Sequence, residues 1–300
     1  MYKKKIGIGI CSLAIVALAM VGCSQEYTTY SDDSYIIFAD SMTVLPVQND
    51  EEVFDIVIAA TKAEKFDRNV GVEILPNKSN AIEGRHYAIT SQTVTIPAGS
   101  MTGTLKVRGI AKNIDVTDSI GVTLRLVNKV TDKWEAYGDK GQEARVMFRK
   151  ACPFNLEQFT GHCTVRSSYF QDYMPRTTMR LVSSVIDPVN KNTIILKDFF
   201  YKGFDIRLRL DTANILRPDV YMDKSQQLGT TAEAFGTIYG NGQLMAYLPS
   251  VYTSYFSSCE EFITIYPQFY VDGVGTVGTF TTVIKFITDE EYEVYKKLGY

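Results

Sequence analysis

Histidine is nearly absent from this chain: His86 and His162 are the only two in 300 residues. Nucleophilic triads and most zinc centres depend on that residue, and two scattered copies supply neither. His162 directly precedes Cys163, and neighbours on a strand point to opposite faces, so the two do not form a Cys–His pair. His86 reads as a turn or surface histidine. The Gly-x-Ser-x-Gly elbow and the phosphate loop are both missing. Gly273 to Gly278 does spell Gly-x-Gly-x-x-Gly, but no helical pattern follows it, so it reads as a glycine-bearing β-turn. The acidic runs Glu260-Glu261 and Asp289-Glu290-Glu291 are sequence neighbours. A glycosidase needs two carboxylates facing across a bond, so these read as solvated charge. A basic stripe that could neutralise phosphates is also lacking, which excludes nucleic acid as a partner. Calcium needs several converging oxygens, and acids such as Glu83 and Asp115 are scattered. The expectation is a non-enzymatic protein with no cofactor and no metal.

What is present begins at the N-terminus. Lys3, Lys4 and Lys5 precede an uncharged, mostly apolar run from Ile6 to Val21, which ends at Gly22-Cys23 and turns at once polar in Ser24-Gln25-Glu26. This is the layout of a secretory signal, and the run is short for a transmembrane helix. Gly22-Cys23 resembles the lipobox of bacterial lipoproteins. The resemblance implies cleavage before Cys23, lipidation of its thiol and anchoring in a membrane, most simply the outer membrane. Either the cell surface or the periplasmic face is compatible with that. Residues 1–22 would be the signal and 23–33 a polar, lipidated tether. Three lysines leave with the signal, so 28 basic residues face 34 acidic ones in the mature chain, a formal net charge of −6. Such a body has little attraction for anionic lipid, which leaves the anchoring to the acyl group.

Cysteine is sparse as well. Beyond Cys11 in the signal and Cys23, only Cys152, Cys163 and Cys259 remain, an odd number that does not read as a disulfide framework. Buried thiols are the favoured reading, with a Cys152–Cys163 loop as the alternative in an oxidising compartment.

The body patterns as β throughout. Strands read at Tyr35–Phe38, Val53–Ile58, Val70–Ile74, Thr93–Ile96, Thr104–Val107, Gly121–Val127 and Ala144–Phe148. Turn signals separate them, and Val122, Leu124 and Leu126 share one face. This predicts an antiparallel sandwich over 34–150. The series Glu83-Gly84-Arg85-His86-Tyr87, Val94–Ser100, Gly103–Val107 and Val122–Leu126 resembles a Calx-beta-type sandwich of exported Bacteroidota lipoproteins. It departs from that pattern in carrying His86 where aspartate is usual.

Arg149–Pro153 breaks the strand pattern and marks a boundary, with a second all-β unit over 151–300. In this unit Phe204, Ile206, Leu208 and Leu210 alternate with outward Asp205, Arg207 and Arg209. Residues 187–192 form a hairpin turn. Further strands read at Gly236–Leu248, Phe262–Tyr270 and Val277–Ile287, and only Asp289–Leu298 reads as helix. Cys152-Pro153-Phe154 and Phe159-Thr160-Gly161 resemble the start of a C-terminal domain found behind Calx-beta-like domains in such lipoproteins, a resemblance that implies architecture and location but no chemistry. The fold class expected is all-β, with two sandwich- or barrel-like domains in tandem after a lipoprotein signal.

The one constellation with binding chemistry is aromatic. The chain has 19 Tyr and 16 Phe but a single Trp. Tyr247, Tyr252, Tyr255, Phe256, Tyr266, Phe269 and Tyr270 crowd into 24 residues, interleaved with serine and threonine. Ring faces pack on the C–H groups of sugars while hydroxyls answer hydroxyls. Tyr247, Tyr252 and Tyr255, with Trp134 and Tyr137 from a polar segment, are therefore the candidate contacts for an extracellular glycan, in an uptake system for example. The alternative is a structural or adhesive module with a protein partner in the outer membrane. Asp40-Ser41-Met42, Asp118-Ser119-Ile120 and Asp211-Thr212-Ala213 resemble O-glycosylation sites of exported Bacteroidota proteins.

Overall fold

The computed structural model describes residues 34–127, the two-residue strand 135–136 and residues 141–300. Cys23, Trp134 and Tyr137 lie outside the described residues. Among those described, no helix is long and apolar enough to cross a membrane.

The first half folds into two five-stranded sheets. Its strands are β1 (Tyr35–Phe38), β2 (Met42–Val47), β3 (Val53–Ala60), β4 (Arg68–Ile74), β5 (Tyr87–Ile89), β6 (Thr93–Ile96), β7 (Thr102–Gly109), β8 (Ile120–Val127), β9 (Glu135–Ala136) and β10 (Glu143–Lys150). They are ordered β5-β7-β3-β1-β9 and β2-β10-β8-β4-β6. Alternation places Ile56, Ile58, Leu105 and Val107 of one sheet against Val122, Leu124, Leu126, Val146 and Phe148 of the other, in one shared core. Most ladders are antiparallel, but β1 runs parallel to β9 and β2 parallel to β10. Strand β2 carries Pro46, which discourages a strand reading. It lies at a sheet edge, beside β10 alone, where a missing N–H is tolerated.

Three polar residues are buried among the described residues of this sandwich: Arg68, His86 and Thr123. Arg68 donates to Ser34 Oγ at 3.2 Å, Lys62 O at 2.9 Å and Ser100 O at 2.8 Å, stitching three loops together. His86 lies in the turn before β5, one of its two expected settings, but is buried rather than superficial. Its Nδ1 accepts from the Ile82 N–H at 3.0 Å, and its carbonyl accepts from Ile110 N at 2.9 Å. These bonds fold the imidazole inward, and burial, with Arg85 nearby, lowers its pKa.

The second half comprises β11 (Gly161–Ser167), α1 (Ser168–Tyr173), β12 (Arg180–Ile186), β13 (Thr193–Lys197), β14 (Ile206–Asp211), β15 (Asp219–Tyr221), β16 (Gln226–Thr230) and α2 (Thr231–Phe235). These are followed by β17 (Gln243–Tyr247), β18 (Tyr255–Ser257), β19 (Phe262–Ile265), β20 (Gln268–Val271), β21 (Gly275–Thr279), β22 (Thr282–Ile287) and α3 (Asp289–Lys297). Strands β11-β12-β13-β14-β15-β18-β19-β22 close into a barrel, and β16-β17-β20-β21 form a separate four-stranded sheet. The fold is all-β, as the patterning predicts. The barrel interior is a packed core: Cys163, Val165, Leu208 and Ile284 join Phe159, Phe256 and Phe286 there. Leu244, Ala246, Phe269 and Val271 extend the same core under the four-stranded sheet.

Helix α3 forms where expected. Thr288 and Glu291 make a reciprocal capping box, so the acidic run 289–291 is a helix first turn, where negative charge is favoured. His162 stacks on Tyr292 of this helix at 3.7 Å, while Cys163 points into the barrel. The strand expected from Gly236 begins only at Gln243. A second capping box, Thr230 with Glu233, starts α2, and left-handed Gly236 (φ 73°) ends it.

The cysteine reading requires correction. Cys152 bonds Cys259, and Cys163 is free and buried. The Cys152–Cys163 alternative fails on strand geometry: residue 163 faces the barrel interior, where burial pushes its thiol up to about 12. Cys259 lies in the connection between β18 and β19, where Cys152 meets it as the chain leaves β10.

Candidate functional site

The four-stranded sheet has two unlike faces. Inward, Leu244 and Ala246 of β17 and Phe269 and Val271 of β20 are fully buried. Outward, period-2 alternation leaves Met245, Tyr247, Gln268 and Tyr270 half-buried. Tyr247 stands opposite Gln268 in the ladder and donates its hydroxyl hydrogen to Gln268 Oε1. The Tyr247 and Tyr270 rings are 5.8 Å apart at 70°. Together with Ser225, Asp272 and Thr276 they line an open depression of about 660 Å³. Its rim is the turn Asp272-Gly273-Val274, where Gly273 takes φ 70°, a conformation glycine adopts without steric cost. The glycine-rich motif therefore opens in the turn between β20 and β21, as expected, and its remaining residues, Gly275 to Gly278, belong to strand β21.

The depression has a firm floor. Phe269, directly beneath, meets Tyr169 at 4.8 Å, Phe280 at 4.9 Å and Phe200 at 5.2 Å. The buried hydroxyls of Tyr169 and Tyr201 satisfy each other at 2.8 Å, and burial raises both pKa values. On β16, Gly229 admits the Tyr201 ring so closely that an added Cβ would stand 2.5 Å from it.

A second concavity of about 310 Å³ adjoins the first, with Ser225 as a common wall. Its lining includes Arg207, Arg209, Asp223, Lys224 and Gln226. The outward arginines of β14 read from the sequence are these two. Gln226 holds the concavity together: its amide accepts from Arg207 N and donates to Arg207 O, both at 2.8 Å. A side-chain amide thereby pairs with the backbone of β14 as a neighbouring strand would, joining barrel to sheet.

Charge in this concavity is organised from behind. Buried Asp187 accepts from Val189 N, Asn190 N and Asn190 Nδ2, and from Arg207 Nε at 3.2 Å. Those donors, the Asn190 side chain foremost, hold its carboxyl at about 2. A carboxylate whose pKa is depressed on folding contributes stability above its unfolded value of about 3.9 and loses it as pH falls through the folded one. Thermal melts between pH 5 and pH 2 should therefore fall more steeply for the parent than for Asp187→Asn. Parallel profiles would exclude Asp187 as a source of acid sensitivity. Arg209 gives Nε to Asp223 Oδ1 at 3.0 Å and Nη1 to Asp211 Oδ2 at 3.3 Å, with its guanidinium 4.6 Å from the Tyr221 ring centre.

A family model described as "Domain of unknown function (DUF4984)" matches residues 139–298. The chain belongs to the DUF4984 family. The match takes in β10, the whole barrel and the four-stranded sheet, so both concavities lie in the DUF4984 portion. No curated protein matches the chain in sequence. Among solved structures, an auxiliary nutrient binding protein from Bacteroides thetaiotaomicron is 13% identical, with 87% of this chain and 94% of that one covered and a TM-score of 0.34. A candidate carbohydrate binding protein from Bacteroides ovatus is 11% identical, covering 82% and 74%, with a TM-score of 0.31. CBD12 from CALX1.2 is 11% identical, covering 88% and 86%, with a TM-score of 0.35. Likeness at these scores says nothing of what the DUF4984 chain binds.

The tyrosines singled out from the sequence divide into three places. Tyr247 lines the larger depression with Tyr270. Tyr252, half exposed, lies 5.8 Å from Tyr266. Buried Ser254 fixes that loop by accepting from Tyr266 N at 3.2 Å. Tyr266, Gln268 and Tyr270 are half-buried while Ile265, Pro267 and Phe269 are buried, so the Tyr252–Tyr266 pair continues the row along β20. Tyr255 is elsewhere, on β18 of the barrel, edge-on to Phe262 at 6.0 Å. Sequence reasoning missed Ser225, Lys224 and Gln226, which carry no periodic or motif signal. It named Tyr270 in the aromatic cluster without placing it in the site. The hydroxyl-bearing residues Ser41, Ser119 and Thr212 of the glycosylation-like motifs are all exposed.

Proposed function

We propose that this DUF4984 protein is a lipid-anchored outer-membrane protein that binds extracellular glycan without transforming it, in the service of a polysaccharide uptake system. The observation that carries the reading is the outer face of β17 and β20: two tyrosines fixed by a packed aromatic floor, with amide and hydroxyl groups between and beside them. Apolar ring faces suit the C–H surface of a pyranose, and Gln268, Ser225 and Thr276 suit its hydroxyls. The face is shallow and open, which fits a section of a polymer better than an enclosed small molecule. The acidic runs read from the sequence serve a helix cap at 289–291 and a turn at 260–261, where Glu261 takes φ 53°. Anchoring through Cys23 is supported by the lipobox-like N-terminal sequence alone, which is compatible with either the cell surface or the periplasmic face.

Native gels cast with a panel of plant and host polysaccharides test this reading. Retardation of the protein by one polymer is expected, and its loss in Tyr247→Ala with Tyr270→Ala would place binding on this face. If no polymer retards the parent, the glycan reading fails and an outer-membrane protein partner takes its place, to be sought by crosslinking on intact cells.

A further inference from the structure

The smaller concavity is built differently from the tyrosine face beside it. Three cations line it, Arg207, Arg209 and Lys224, and they are not equally engaged. Arg209 is committed to Asp211, Asp223 and the Tyr221 ring. Arg207 gives only its Nε to an acid, Asp187, and that carboxylate is buried behind it with a side chain 3% exposed. The two Nη groups of Arg207 make no ion pair among the described residues, Asp205 feels its charge only from beyond bonding distance, and the Arg207 side chain is 54% exposed. Lys224 is exposed and makes no ion pair among the described residues. Asp223 also lines the concavity, with both oxygens turned to Arg209 Nε at 3.0 and 3.4 Å. What is left at the mouth is a forked guanidinium held in place from behind and a free ammonium. Asn190, Thr193 and Gln226 stand around them as uncharged polar neighbours.

A planar guanidinium whose two Nη groups are left without an ion-pair partner matches the geometry of an oxyanion, and an ammonium lining the same concavity adds a point charge. Ser225 is a wall of this concavity and of the tyrosine-lined depression, so a sugar resting on Tyr247 and Tyr270 presents its next substituent or its next unit to the cations. We infer that the ligand is an acidic glycan, in which a carboxylate or sulfate ester on the sugar is received by Arg207 and Lys224 while Tyr247 and Tyr270 hold the ring. The inference rests on the glycan reading above and adds the substrate class. It also assigns a task to Asp187, which touches no ligand itself: it positions Arg207 by occupying Nε.

The test is a glycan array of neutral, uronate- or sialate-bearing, and sulfated oligosaccharides, probed with the full chain in detergent. The glycans bound are expected to carry a carboxylate or a sulfate ester, and the array shows which. Methyl esterification or desulfation of a bound glycan should weaken it about tenfold, the loss of one charge-assisted contact. Lys224→Gln should cost several-fold without touching the fold, since Lys224 bonds nothing among the described residues. Arg207→Gln with Lys224→Gln should cost more, whereas Tyr247→Ala with Tyr270→Ala should abolish binding. Binding of neutral glycans alone, lost in the tyrosine variant but indifferent to Lys224→Gln, overturns the acidic class and leaves the glycan reading standing. Acidic glycans bound equally well by the parent and the Lys224→Gln, Arg207→Gln variant likewise overturn the assignment of the notch. No glycan bound at all removes both.

Discussion

Replacing Cys259 with serine should lower the stability of the C-terminal half by about 4 kcal/mol. The bridge to Cys152 joins residues separated by 107 positions. Closing a loop of that size removes much of the entropy of the unfolded chain, and the chain-entropy model gives about 4.7 kcal/mol for a loop of about 100 residues. The bridge also acts at a mechanically important place. Ala151 N bonds Val47 O at 3.0 Å, so Cys152 follows directly on the last ladder of the sandwich. Beyond it, Phe154 packs against Phe256 at 5.5 Å and Phe159 at 6.0 Å. The bridge thus pins the chain where it leaves the sandwich to the β18–β19 connection of the barrel. Chemical denaturation followed by barrel tyrosine signals should show a lower midpoint for Cys259→Ser than for the parent, and the same drop for the parent under reductant. An unchanged midpoint in both would mean that the barrel, not the bridge, orders residues 152–159. Cys163 should be indifferent to reductant, since its thiol sits in the core and donates to Val182 O at 3.6 Å.

Much of the fold is legible in the sequence because most strands have one buried face. β14 is the clearest instance: Ile206, Leu208 and Leu210 are buried, and Arg207 and Arg209 face out. β8 behaves likewise through Val122, Leu124 and Leu126, although its other face is also covered at Thr123. Legibility fails where a local signal depends on a distant partner. Pro46 makes β2 look unlike a strand until its edge position beside β10 is known. The helix α2 was available in the Thr230–Glu233 capping pattern but is only five residues long, too short for helical periodicity to register. Spacing along the chain carries no information about which cysteine reaches Cys152, because the answer is set by barrel closure.

The site divides in the same way. Aromatic crowding between residues 247 and 270 points to the segment that supplies the tyrosines of the larger depression. Which rings share a face could not be read, because β17 and β20 leave the barrel to pair with β16 and β21, while β18 and β19 between them remain in the barrel wall. That excursion brings Tyr247 beside Tyr270 and sends Tyr255 elsewhere. The cationic notch was still less visible. Arg207 and Lys224 are distant in sequence, and they line one concavity where the Gln226 amide fastens β16 to the backbone of β14.

Phe269→Ala should be among the most costly single substitutions in the protein, at about 3–5 kcal/mol, and should silence binding even though Phe269 never meets solvent. Its ring is fully buried and lies within 5.2 Å of the centres of Tyr169, Phe200 and Phe280. These rings are themselves linked: Tyr169 meets Phe280 at 5.1 Å and Phe200 at 5.5 Å. Truncation would leave a hole that such rigid side chains cannot close by small shifts, which is the condition under which cavity cost is greatest. Tyr270 follows Phe269 directly on β20, and the ladder already carries an irregularity between them. A void beneath this point loosens the strand that fixes Tyr270 against Tyr247 and Gln268. Phe269→Leu keeps most of the volume and should recover most of the stability. The informative comparison is between these two variants under conditions where both are folded, as judged by circular dichroism. If Phe269→Ala remains folded yet is no longer retarded by the polymer that retards the parent, the aromatic floor sets the geometry of the tyrosine face. If it binds as the parent does, the outer residues hold their arrangement through the ladder and the Tyr247–Gln268 hydrogen bond alone.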